Sequence, residues 1–125
     1  MKIQIIVKGF VVALVICCTS CAKDRVNFVA EQPLQPSDCT DTISYIQQVR
    51  PIIEQNCSTS GCHDATSSGG YEFLTYSNVS LHSEIMLKSM KHEQGPSNMP
   101  LGLPKLNDSL IKTFECWIMQ GVQNN

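Results

Sequence analysis

A small all-α domain with long loops is the fold class this sequence predicts, on three observations. No stretch alternates apolar and polar residues with period two over several positions. Leu110, Ile111, Phe114, Trp117 and Ile118 follow the i, i+1, i+4, i+7, i+8 spacing of one helix face. Gly95, Pro96, Pro100, Gly102 and Pro104 crowd the stretch from Glu93 to Leu106, which leaves no room for a regular helix there. A chain of 125 residues accommodates one such domain.

Residues 1–20 read as an export signal. Lys2 and Lys8 give a basic start, and Gly9 to Cys18 is an apolar run too short to span a bilayer. Cys18-Thr19-Ser20-Cys21 resembles a bacterial lipoprotein signal, with Cys21 as the lipidated first residue after cleavage. Buried acyl chains contribute about 0.8 kcal/mol per CH₂ and hold a protein to a membrane without a spanning helix. Residues 21–38 read as a flexible tether, polar and marked by Pro33 and Pro36. Fully extended, the stretch Ala22 to Asp38 reaches about 55 Å.

The folded domain is expected over 39–125. Asp41 or Thr42 caps a first helix with Ile43, Ile46 and Val49 on its inner side. Pro51 lacks an N–H and disfavours helical geometry at Arg50, which predicts a break or kink, followed by a turn from Ile52 to Asn56. Ser67-Ser68-Gly69-Gly70 is a loop, and Tyr71 to Leu74 a short extended or turn segment. Ser77 to Lys91 is expected to be helical with Leu81, Ile85, Met86 and Met90 inward. Asn107 caps the last helix and Gly121 ends it.

Charge excludes one class of partner. The chain carries 9 basic and 11 acidic residues, and loss of Lys2 and Lys8 with the signal leaves 7 against 11, a net −4. Without a basic patch, nucleic acid is not an expected ligand.

The chemistry concentrates in Cys57-Ser58-Thr59-Ser60-Gly61-Cys62-His63. Two thiols and an adjacent imidazole are the arrangement that fixes a haem covalently: each sulfur forms a thioether with a vinyl group, and the histidine offers a nitrogen to iron. Four residues separate the cysteines where two are usual, but Cys62 and His63 remain directly adjacent. A Cys57–Cys62 disulfide loop and a zinc site are competing readings. Zinc calls for a fourth ligand from a second short-spaced pair, which the sequence lacks. In an exported protein, disulfides persist. Once the signal, the lipid and a haem claim five of the seven cysteines, Cys39 and Cys116 remain, an even number that points to one disulfide.

Met99, followed by Pro100, lies 36 residues after His63 in the stiff Gly/Pro-rich loop. From there its sulfur can approach iron from the side opposite His63. His92 is the competing sixth ligand, which would give a lower potential. His82 is expected to be solvated or hydrogen-bonded, and Trp117 to be core near the haem and first helix. Tyr71, Tyr76 and Lys105 are within the sequence neighbourhood of a propionate, although most such side chains serve no cofactor.

In order along the chain, Cys39, Val49-Arg50-Pro51-Ile52-Ile53, Cys57…Cys62-His63, Gly69-Gly70, Met99-Pro100, and Trp117 with Gly121 resemble the small class I c-type cytochromes, in particular monohaem cytochrome lipoproteins. The resemblance covers about Cys39 to Asn125. It implies a helical domain wrapped around one haem c, attached through Cys57 and Cys62, with His63 and Met99 as axial ligands of the iron. It also implies that the first and last helices pack on one another, which suggests a Cys39–Cys116 bond stapling the domain ends. Against that bond, Cys116 lies about 160° from the centre of the apolar face at 100° per residue, so the N-terminal segment has to wrap around the outside of the helix. Asp64 stands where the family pattern has a glycine after the histidine.

The implied function is an electron carrier rather than an enzyme: a protein held by its N-terminal lipid on the periplasmic or cell-surface side of a bacterial membrane, exchanging single electrons with redox protein partners. The alternatives are a haem-based sensor or peroxidase-like protein with a labile sixth ligand, and a haem-free structural lipoprotein.

Overall fold

The computed structural model describes Gln35 and residues 38–125. The signal 1–20, the lipidation site Cys21 and all but Gln35 and Asp38 of the tether 21–38 lie outside the described residues. Within the described residues the protein is helical and has no strand. A π-helical turn, Tyr45–Val49, runs into α1, Arg50–Asn56; α2 spans Tyr76–Lys91 and α3 spans Asp108–Met119. None of these helices is long and apolar enough to cross a membrane.

The first helix starts later than its sequence suggests. Ser44, not Asp41 or Thr42, is the cap: its hydroxyl accepts the Gln47 N–H at 3.3 Å, and its own N–H donates to Gln48 Oε1 at 2.8 Å. Ile43 is buried just before the helix, whereas Ile46 is 57% exposed. The irregularity expected at Pro51 takes the form of a change from π-helix to α-helix between Val49 and Arg50, not an interruption of the helical run. The N–H groups of Val49 and Arg50 bond to carbonyls five residues back, those of Ser44 and Tyr45. In an uninterrupted α-helix the Pro51 ring would strike the Gln47 carbonyl. The wider turn passes the chain into α1 with Pro51 in its first turn, where no N–H is needed.

Thr75 caps α2 by accepting the Asn78 N–H. The buried face of α2 is Val79, Ser83, Met86, Leu87 and Met90. Leu81, expected inside, is 78% exposed, because it falls about 200° around the helix from Val79. Helix α3 follows its sequence pattern closely. Asn107 Oδ1 accepts the Ser109 N–H at 2.8 Å, Ile111, Phe114 and Trp117 are buried, and Gly121 follows the helix end at φ 90°. No regular helix forms between Glu93 and Leu106.

The π-turn and α2 both pack on α3. At the centre Trp117 is fully buried, with ring centroids 5.5 Å from Tyr45 and from Phe114 and 6.4 Å from Tyr76. Its indole N–H donates to the Gln123 carbonyl at 2.8 Å, and the Tyr76 hydroxyl donates to Val122 O at 2.7 Å. Lys91 Nζ lies 2.5 Å from Glu115 Oε1, a half-shielded ion pair between α2 and α3.

The two ends of the domain are tied together. Asn125 accepts the Tyr45 N–H through Oδ1 and the Ile46 N–H through its carbonyl. Gln120 bonds Ile43 N–H and Asp41 O with the two ends of its amide. Cys39 and Cys116 are disulfide-bonded, with Cα atoms 5.4 Å apart. Cys116 is buried despite its place off the apolar face, because the segment leading from Cys39 crosses the outer side of α3.

The bond closes a loop across a sequence separation of 77. Replacing Cys39 and Cys116 by Ser together should lower unfolding free energy by about 2–4 kcal/mol, read from urea titrations of oxidised protein and double variant.

Candidate cofactor site

Pro51 and the helix it opens deliver the chain to Cys57 at the C-terminal end of α1. From there the residues 57–63 double back in tight turns: Cys62 N–H bonds to Thr59 O, and His63 N–H to Cys57 O at 3.1 Å. The two extra residues between the cysteines are absorbed in this loop. Asp64 braces it, accepting the Gly61 N–H on Oδ2 and the Thr66 N–H on Oδ1, each at 3.0 Å, together with the Thr66 hydroxyl. The Thr66 hydroxyl and then these two amides hold the Asp64 carboxyl below its ordinary range. An aspartate after the histidine therefore has a structural task that a glycine cannot perform.

Residues 71–73 close over the other side. Phe73 N–H donates to His63 O at 3.0 Å, and the Ser58 hydroxyl to Phe73 O at 3.0 Å. His63 is 8% exposed and stacks on Phe73 with ring centroids 4.4 Å apart. Its Nδ1 lies 2.7 Å from the Tyr71 carbonyl oxygen. A carbonyl only accepts, so Nδ1 carries a proton, and the tautomer this bond selects is the one with its lone pair on Nε2. This is the arrangement in which a second bond orients an imidazole for metal ligation.

Gly69 makes room for that ring. A Cβ built there meets His63 Cε1 at 2.8 Å, and His63 Nδ1 and Cys62 O at 3.0 Å. The Gly69 N–H bonds to the same Cys62 carbonyl at 2.8 Å, so the backbone cannot step back.

Cys57, Cys62, His63 and Met99 line one cavity of about 580 Å³, within the ~300–1,000 Å³ typical of cofactor sites. Phe73, Met86 and Met90 are buried in its walls, while Tyr71, Ile85, Leu101 and Leu103 are exposed at 43–76%. Met86 and Met90 thus serve the core and the cavity at once. Ile85 faces the cavity rather than the core. His92 is not among the lining residues; its Nε2 is 3.1 Å from the Met99 carbonyl. His82 Nδ1 is 2.8 Å from Asn78 O, and its ring packs against Tyr71 and Phe73. Trp117 touches the first helical turn, as expected, but does not line the cavity. Lys105 pairs with Asp108 at 2.9 Å.

The other readings of the cysteines fare less well. Cys57 and Cys62 are not joined to each other. No three His, Cys, Asp or Glu side chains among the described residues converge to hold a metal ion. Burial, aided by the nearby Cys62, pushes the Cys57 thiol up to about 11. The same donors do fit a haem: two unpaired cysteines for thioethers, one oriented imidazole, one thioether sulfur, and apolar walls between them.

Comparison of the chain with protein-family models, with curated proteins and with solved structures finds no match in any of the three.

Sequence reasoning missed the partner of His63 and the role of Gly69. The first is a main-chain carbonyl, which any residue at position 71 supplies, so no residue type signals it. The second had a visible trace in Gly69-Gly70, without any indication of which neighbour required it.

Gly69→Ala should push the His63 ring off the Tyr71 carbonyl and cost about 1–3 kcal/mol of stability. Denaturant unfolding measures the cost, and the imidazole ¹⁵N shifts of His63 report the altered Nδ1 bond.

Proposed function

We propose that this protein is a monohaem c-type cytochrome that carries single electrons between redox protein partners. The observation that carries the reading is convergence. Residues from the loop after α1 (Cys57, Cys62, His63) and from the loop before α3 (Met99) line one largely apolar cavity, with His63 already in the ligating tautomer. In this reading Cys57 and Cys62 would hold haem c covalently, and His63 Nε2 and Met99 Sδ would be the two protein ligands offered to its iron. The bound haem supplies a one-electron ferric–ferrous couple, and thioether ligation favours the reduced form.

The chain's own part is to bind, orient and exclude water. Tyr71 O and Phe73 keep the His63 ring in place, and Gly69 leaves it space. Ile85, Met86 and Met90 supply apolar walls that keep water from the site and limit reorganisation on electron transfer. With an imidazole and a thioether sulfur both offered by the protein, a bound iron would keep no open position for substrate chemistry, which favours a carrier over an enzyme. The N-terminal sequence supports export and anchoring through Cys21 on the periplasmic or cell-surface side of a bacterial membrane.

Co-expression with haem-maturation machinery tests the reading. Intact mass after acid extraction should rise by one haem, and the oxidised spectrum should show a thioether-to-iron charge-transfer band. Met99→Ala should abolish the band, lower the midpoint potential and let the ferrous protein bind carbon monoxide, which the unaltered protein should not. A colourless product at the mass of the chain alone would falsify the assignment.

A further inference from the structure

Met99 is held at both ends of its backbone. The Ser89 carbonyl, in the last turns of α2, accepts the Met99 N–H at 3.0 Å. His92 Nε2 lies 3.1 Å from the Met99 carbonyl oxygen, which can only accept, so the imidazole is the donor. His92 itself is rigidly placed. It is the C-cap of α2 in the left-handed conformation, φ 58° and ψ 36°, and its N–H reaches the Lys88 and Ser89 carbonyls. A methionine side chain has three rotatable bonds, so a sulfur in a loop is located only as well as its backbone is anchored.

We propose that His92 is a positioning residue for the sixth ligand: its hydrogen bond locks the Met99 carbonyl to the end of α2 and so keeps the Met99 sulfur presented to the cavity. This rests on the cytochrome reading above. It also reverses the role expected of His92, from a competitor of Met99 to its support. The Ser89 and His92 bonds grip opposite sides of the residue, one at its N–H and one at its carbonyl, which fixes its rotation as well as its position. Met99 lies in a stretch with no helix of its own to hold it, so this grip is what links it to the rigid part of the domain.

Two variants isolate the effect. His92→Gly removes the imidazole while glycine readily keeps the left-handed cap, so α2 is not weakened. His92→Gln returns an N–H donor at about the reach of Nε2. Loss of one ordinary hydrogen bond shifts the ratio of bound to released sulfur by about tenfold. With haem attached in all three proteins, His92→Gly should therefore show a weakened charge-transfer band, a lower potential and carbon monoxide binding to the ferrous form about tenfold faster. His92→Gln should behave nearly as the parent. In the haem-free chain, the Met99 amide should exchange faster in His92→Gly than in His92→Gln. The proposal is overturned if His92→Gly keeps the band and stays inert to carbon monoxide, or if the two variants behave alike. A parent that matures without haem overturns the cytochrome reading and the ligand role with it, and the haem-free exchange rates then still tell whether His92 holds Met99.

Discussion

Trp117 has no exposed surface, and its contacts join the first helical turn, α2 and α3, the frame on which the cavity is built. Its faces and edges meet Tyr45 from the first turn, Tyr76 from the start of α2 and Phe114 from its own helix. A buried aromatic of this size contributes several kilocalories per mole of transfer free energy and leaves a large cavity when truncated. Three separate parts of a short chain are thereby fixed relative to one another. The disulfide between Cys39 and Cys116 and the bonds of Gln120 and Asn125 close the same region from outside. The first helical turn is thus held at a defined place, and α1 carries the chain from it to Cys57.

The opposite side of the domain is built differently. There loops supply the walls that face α2, and their order depends on hydrogen bonds to main-chain carbonyls: His63 Nδ1 to Tyr71, Phe73 N–H to His63, Gly69 N–H to Cys62, Met99 N–H to Ser89. The cavity between them exposes Tyr71, Ile85, Leu101 and Leu103 at its edge. Such apolar surface in so small a domain is costly to leave in water. A flat apolar body inserted there would bury it and complete a core that is otherwise thin. The aromatic side of the domain acts as a frame for the loop side.

Much of this was legible in the sequence. The Asn107 cap, the inner face of α3, the Gly121 stop and the irregular stretch before Asn107 all follow from local chemistry. The pairing of Cys39 with Cys116 was reached although helical geometry spoke against it. Other expectations failed for identifiable reasons. Ile46 and Leu81 are apolar at plausible spacings, yet α-helical periodicity misplaces Ile46 in a π-helical turn, and Leu81 points away from the face that α2 buries. The break or kink expected at Pro51 takes the form of a widened preceding turn, a form that the proline alone does not specify.

By itself the sequence determined the elements and the donor set: which segments are helical, which cysteines remain to pair, and that two thiols, an imidazole and a methionine are available. These follow from spacing, capping and side-chain chemistry, which act over a few residues. Only the tertiary structure decided that the four donors share one cavity, that the His63 proton sits on Nδ1, and that His92 grips Met99 rather than lining the cavity with it. Those outcomes hang on main-chain carbonyls brought together by folding, and a carbonyl is the one group every residue supplies alike.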